Sequence, residues 1–226
     1  MPIPILMYHV VATPPPGVPN SALWVAPREF AAQMAALKGG GYWAITLGQA
    51  WRAWTDGGPL PRRPAVLTFD DGYLGDYTNV RPVLRRLGWP GVLNLALQNV
   101  GPRNLKAREV RALVRSGWEI DSHTIDHPDL TTSADAPLRY ELTASRREIE
   151  RRFGSPADFF CYPFGRFNAR VEAAVKAAGY HAAMTELEGY ATRAQPYALP
   201  RVRVSGFDTP AMLVARLRTE SPARGL

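Results

Sequence analysis

Strand-sized apolar runs alternating with amphipathic stretches constrain this chain more than any other feature. PILMYHV (4–10) reads as a strand, PREFAAQMAALKGG (27–40) as a helix ended by glycines, and AVLTFDD (65–71) as a short buried strand. The alternation continues with a helix over 76–88, a strand at 92–97, a helix over 106–116 and a strand at 118–123. A long charged helix follows over 135–153, then a strand at 158–163, a helix over 168–178, strands at 181–185 and 199–204, and a last helix over 208–218. Strand-then-helix units repeated about seven times imply a parallel sheet, either open or closed into a barrel. In both arrangements the chemistry belongs where strands end.

The polar residues suited to chemistry do sit at those ends. His9 closes the first strand, Asp70 and Asp71 close AVLTF, His123 follows WEIDS, and Pro163-Phe164-Gly165 follows DFFCY. A chain of 226 residues, 46% of them hydrophobic, buries one sizeable core, so a single domain over 1–226 is expected. The PPPGVP (14–19) and GGPLPRRP (57–64) stretches read as rigid loops rather than linkers, because each joins elements that need one another for burial.

Composition excludes several classes. No run of eighteen apolar residues occurs, and MPIPILMYHV lacks the pattern of a secretory leader, so nothing is expected to span a membrane. Location stays open: extracellular or cell-envelope if a leader has been removed, cytoplasmic otherwise. The lone Cys161 excludes an intramolecular disulfide and any CxxC zinc site, which leaves His and carboxylate as metal ligands. A net charge of +7 favours anionic surfaces, but the arginines are spread along the chain, and neither finger spacing nor an RNP-type aromatic segment accompanies them. No nucleic-acid partner is expected, and the chain is read as a monomer.

In Thr68-Phe69-Asp70-Asp71-Gly72, two adjacent carboxylates leave a buried strand, and strand alternation would point them to different sides. They can divide labour, one binding a cation and the other acting as base, although Asp-Gly alone is also a common turn. In Ser122-His123-Thr124-Ile125-Asp126-His127, two imidazoles four apart would meet on one face of a helical turn. Two His and one carboxylate make a three-ligand site with open positions; the bland alternative is a capping His beside an exposed one. Cys161-Tyr162-Pro163-Phe164-Gly165 forces a turn that aims backbone N–H groups into a cleft, where they could stabilise an oxyanion.

TFDDG, HTIDH and YPFG, in this order, resemble the hallmark segments of the polysaccharide deacetylase family, also called the NodB-homology domain or carbohydrate esterase family 4. The likeness extends from Ile3 to about Val204 and looks closest to the branch that deacetylates poly-N-acetylglucosamine. It implies a distorted (β/α)7-type barrel and a hydrolase removing N-acetyl groups from glycans that contain N-acetylglucosamine. It implies Asp70 as general base and Asp71, His123 and His127 as ligands of one divalent cation, zinc first, with cobalt, nickel or manganese tolerated by such ligands. An oxyanion would rest on the metal and a backbone N–H near Phe164.

The chain departs from the family twice. No late Leu-x-His segment supplies the acid, so that role falls to His9 of LMYHV, as in the poly-N-acetylglucosamine branch, with His181 as the alternative. Cys161 stands where many relatives carry an Arg paired with the base, and Arg201 is the candidate replacement, a bidentate partner of Asp70. Tyr73 and Tyr162 are the candidate sugar contacts. Two other functions stay open: a silent glycan-binding domain using Trp24, Tyr73, Trp89 and Tyr162, or a deacetylase of a small N-acetyl sugar or amide.

Overall fold

The structure is a computed structural model and describes residues 1–219. The first third of the chain comprises β1 (Ile5–Tyr8), β2 (Val10–Val11), β3 (Trp24–Val25), α1 (Pro27–Gly39), β4 (Trp43–Ile45), α2 (Leu47–Asp56) and β5 (Pro64–Asp71). A π-helical turn at Asp76–Val80 leads into α3 (Arg81–Leu87), followed by β6 (Val92–Leu95), α4 (Ala107–Arg115), β7 (Glu119–Ser122) and α5 (Asp135–Phe153). The chain ends with β8 (Phe159–Cys161), α6 (Ala169–Ala177), β9 (Ala182–Glu188), β10 (Leu199–Arg203) and α7 (Pro210–Thr219).

Strand order β1-β10-β9-β8-β7-β6-β5, with β5 returning to β1, closes seven parallel strands into a barrel, and β4 adds to the first half of β5. This is the distorted (β/α)7 barrel that the family resemblance implies. Alternation sorts the strand side chains. Leu6, Leu67, Phe69, Leu93, Ile120 and Val202 pack with Phe30, Met34 and Leu84 in the layer beneath the helices. Ile5, Val66, Val92, Phe159, Met184 and Leu199 fill a separate interior cluster. Further along β5 the interior face turns polar, with Thr68 and Asp70 following Val66.

Two expectations need adjustment. The reading of the sequence has neither the β2–β3 pair nor β4 and α2, because two- and three-residue strands carry no detectable period. What marks α2 is a capping box: Thr46 Oγ1 accepts from the Gln49 N–H at 3.1 Å, and Gln49 Oε1 accepts from the Thr46 N–H at 2.8 Å. The helix expected over 76–88 is split, its first turn being π-helical.

That turn is packed tightly against the β1 extension. A Cβ on Gly75 would lie 2.4 Å from the Val11 carbonyl oxygen, and Asn79 Nδ2 donates to the same oxygen at 2.8 Å. Gly75→Ala is therefore expected to cost about 1–3 kcal/mol through overpacking, read as a lower urea midpoint with an unchanged m-value. An unchanged midpoint would mean that the turn shifts freely. Among the described residues, no helix is long and apolar enough to cross a membrane.

Candidate active site

β5 delivers both carboxylates to the C-terminal mouth of the barrel. Asp70 continues the inward face, whereas plain alternation would turn Asp71 outward. Positive φ at Asp71 (77°) and Gly72 (94°) breaks the alternation and swings the second carboxylate back over the mouth. A Cβ on Gly72 would sit 2.7 Å from Leu95 Cδ1, a contact that the Leu95 side chain could relieve, so it is the positive φ that calls for glycine. Asn99 Nδ2 holds the Asp71 carbonyl at 3.0 Å.

The two histidines do come together, but not on a helical turn as expected. Residues 123–130 form no helix. Left-handed backbone at Thr124 (φ 71°) and His127 (φ 52°) folds the segment back on itself, with the His127 N–H on Thr124 Oγ1 at 2.9 Å. The buried Glu141 of α5 accepts from the N–H groups of Ile125 at 2.7 Å and Asp126 at 3.1 Å, which holds the loop between the imidazoles. Of the six non-glycine residues with positive φ among those described, Asp71, Thr124, His127 and Phe164 all surround this mouth. Such strain persists only where neighbouring bonds over-determine the backbone.

Three ligand-type atoms converge. Asp71 Oδ1 is 3.5 Å from His123 Nε2 and 3.4 Å from His127 Nε2, and the two nitrogens are 3.0 Å apart. Bonds of ~2.0–2.2 Å at tetrahedral angles place ligand atoms about 3.3 Å from one another, so this set fits one small divalent cation. His123 Nδ1 lies 2.7 Å from the Cys161 carbonyl oxygen, which can only accept. That bond puts the proton on Nδ1 and leaves the Nε2 lone pair directed at the shared point. Burial, and then neighbouring His123, lower the His127 pKa, which also favours the neutral ligand form. A second grouping of Asp70, His123 and Cys161 fits a cation poorly. Asp70 is bound by an arginine, His123 Nδ1 is committed to a carbonyl, and burial pushes the Cys161 thiol well above its ordinary pKa.

Arg201, 1% exposed, grips Asp70 with both guanidinium nitrogens: Nη1 to Oδ1 at 2.9 Å and Nη2 to Oδ2 at 2.8 Å. Its remaining donors reach the Thr185 carbonyl at 2.7 Å and Thr68 Oγ1 at 3.1 Å. Burial alone would raise the Asp70 pKa, but the guanidinium outweighs it and holds the carboxyl well below its usual range. His9 Nε2 stands 3.9 Å from Asp70 Oδ2, and burial lowers the His9 pKa despite the nearby acids.

The other sequence candidates divide. Tyr73 is half-buried with its hydroxyl against the Asp71 carboxylate, and burial followed by that charge raises its pKa. Phe164 stays 53% exposed, its ring edge-on to His127 with centroids 4.6 Å apart. Tyr162 is not a cleft residue. It is 1% exposed, stacks on Phe167 at 4.9 Å and donates to the Tyr197 carbonyl at 3.0 Å, because the strand aims it outward into the layer under α5 and α6. Trp89 is likewise core, and His181 stacks on Trp51, joining Phe159 rather than the metal-type cluster. Sequence reasoning has no place for Asn94, whose Nδ2 donates to Asp70 Oδ1 at 2.7 Å, or for Glu141; only strand register and helix docking reveal them.

Comparison with known proteins identifies the family. A profile of the family described as polysaccharide deacetylase matches residues 57–183. YxkH of Bacillus subtilis (strain 168) is 31% identical over 205 residues, covering 90% of this chain and 71% of that protein. The poly-β-1,6-N-acetyl-D-glucosamine N-deacetylase of Escherichia coli (strain K12) is 27% identical over 217 residues, covering 76% of this chain but only 32% of its own length. The Streptococcus pyogenes deacetylase PplD, solved in complex with acetate, superposes with a TM-score of 0.90 at 25% identity, over 98% of this chain and 99% of that one. The chain belongs to the polysaccharide deacetylase family.

Proposed function

We propose that the protein is a metal-dependent hydrolase that removes N-acetyl groups from glycans containing N-acetylglucosamine, with polymers of the poly-N-acetylglucosamine, chitin or peptidoglycan type as substrates. The observation that carries this reading is the meeting of Asp71 Oδ1, His123 Nε2 and His127 Nε2 within 3.0–3.5 Å, directly beside the arginine-bound Asp70.

Hydrolysis adds water across the acetamide: a C–O bond forms, the C–N bond breaks, and acetate and a free sugar amine leave. Asp70 takes the proton of the attacking water. A carboxylate that Arg201 holds this acidic stays ionised at every working pH and is a weak base. It therefore needs an acidified water, and that acidity, together with polarisation of the carbonyl, is the chemistry a divalent cation held by Asp71, His123 and His127 supplies when bound. His9, 3.9 Å from Asp70, is placed to receive the proton and pass it to the departing nitrogen, so one proton serves both steps. The turn at Phe164 offers its N–H to the developing oxyanion, and Tyr73 borders the sugar.

Acetate release from N-acetylglucosamine oligomers tests the reading, using protein stripped of metal and reloaded singly with zinc, cobalt, nickel or manganese. Equal release from stripped and reloaded protein would falsify it. His9→Ala is expected to lower kcat by about 10²-fold with metal stoichiometry unchanged. Loss of the metal in that variant would make His9 a ligand instead of the acid.

A further inference from the structure

At the level of Asp70 the barrel interior carries a polar layer across three adjacent strands. Asp70 on β5 is in register with Asn94 on β6, and Asn94 with Asp121 on β7. Registered residues of neighbouring parallel strands project to the same face, with the strands about 4.8 Å apart. All three side chains are buried. Asn94 Nδ2 donates to Asp70 Oδ1 at 2.7 Å. Since a carboxylate only accepts, that bond fixes the amide orientation and turns Asn94 Oδ1 away from Asp70.

Asn94 Oδ1 and Asp121 Oδ2 are both buried without a hydrogen-bond partner, while Asp121 Oδ1 accepts from the Phe159 N–H at 3.3 Å. Glu119, on the same face of β7, lies within hydrogen-bond reach of Asp121 and accepts from the Gly48 N–H at 2.9 Å. Both acids line a cavity of about 330 Å³ away from the catalytic mouth, so the polar layer has a wet end.

We propose that Asn94 is a positioning residue for Asp70, its Nδ2 holding Oδ1 in place together with the Arg201 guanidinium. The inference rests on the reading of Asp70 as the base.

The test uses acetate release from N-acetylglucosamine oligomers by the zinc-loaded protein. Asn94→Leu is expected to lower kcat about tenfold or more with KM and zinc stoichiometry unchanged, as for a lost hydrogen bond to a charged group. An unchanged kcat in Asn94→Leu, or a loss that tracks only lost zinc, would overturn the proposal. Wild-type protein gives a reading independent of any variant: the Asn94 side-chain amide should resist hydrogen exchange as strand amides do, and rapid exchange would also overturn it. Asp70→Asn separates the two levels. If it stays active, the base assignment is wrong; if it is inactive while Asn94→Leu is unaffected, only the positioning role is wrong.

Discussion

His127→Ala is expected to lose its cation and its turnover together, with acetate release falling by at least about 10³-fold, equivalent to roughly 4 kcal/mol of transition-state stabilisation. Among the described residues three ligand atoms converge at the site, so removal of one leaves two, too few to hold an ion in an open catalytic geometry. The fold should survive. His127 lies in a loop on the barrel mouth, and its main contacts are His123 and the exposed Phe164. Chelated wild-type protein should match the variant in rate, and zinc should restore the wild type but not His127→Ala. A variant that turned over normally after chelation would remove the metal from the mechanism. Left-handed φ at Asp71, Thr124 and His127 is held by the bonds of Asn99, Thr124 and Glu141 to the surrounding backbone, so the loop should keep its path when the imidazole is removed.

The barrel was legible because its period is physical. Strands buried on both faces read as short continuous apolar runs, and the helices that cover them read as amphipathic stretches, as β5 and α1 illustrate. The polar residues at strand ends were legible for the same reason, since a buried strand admits Asp70 or His123 only where the core stops. What escaped depends on backbone angles and on register. A helical turn is the simplest way to pair residues four apart, yet the loop from His123 to His127 achieves the pairing through two left-handed residues and the Glu141 carboxylate arriving from α5. Tyr162 illustrates the opposite error. It adjoins a site motif in sequence, but one step along a strand moves a side chain to the other face, and its ring belongs to the layer under the helices. Asn94 sits in a run that reads as plain strand, and only its registration with Asp70 gives it a role.

Arg201→Leu is expected to damage both the fold and the reaction. Asp70 is buried, and among the described residues Arg201 supplies the full countercharge at hydrogen-bond distance; breaking such a pair from one side costs about 3–5 kcal/mol. Removing both partners, as in Arg201→Leu with Asp70→Leu, should cost less than Arg201→Leu alone, because no charge is then left unpaired. The pH dependence follows from the sign of the shift. The folded-state pKa of Asp70 lies below that of an unfolded Asp, so the pair contributes its full stability above the unfolded value near ~3.9 and loses it only as pH falls through the depressed folded value. With the guanidinium gone, burial is the dominant influence and raises the pKa. Asp70 then binds a proton at higher pH, and the acid limb of kcat/KM should move upward while the wild-type profile shows no Asp70 limb in the neutral range. Arg201→Lys keeps a charge but not the two-pronged geometry, and it should fall between wild type and leucine in both stability and pH profile. An unshifted acid limb in Arg201→Leu, with turnover intact, would mean that Asp70 does not accept the proton of the attacking water. His9, whose Nε2 lies 3.9 Å from Asp70 Oδ2, is then the candidate for that role.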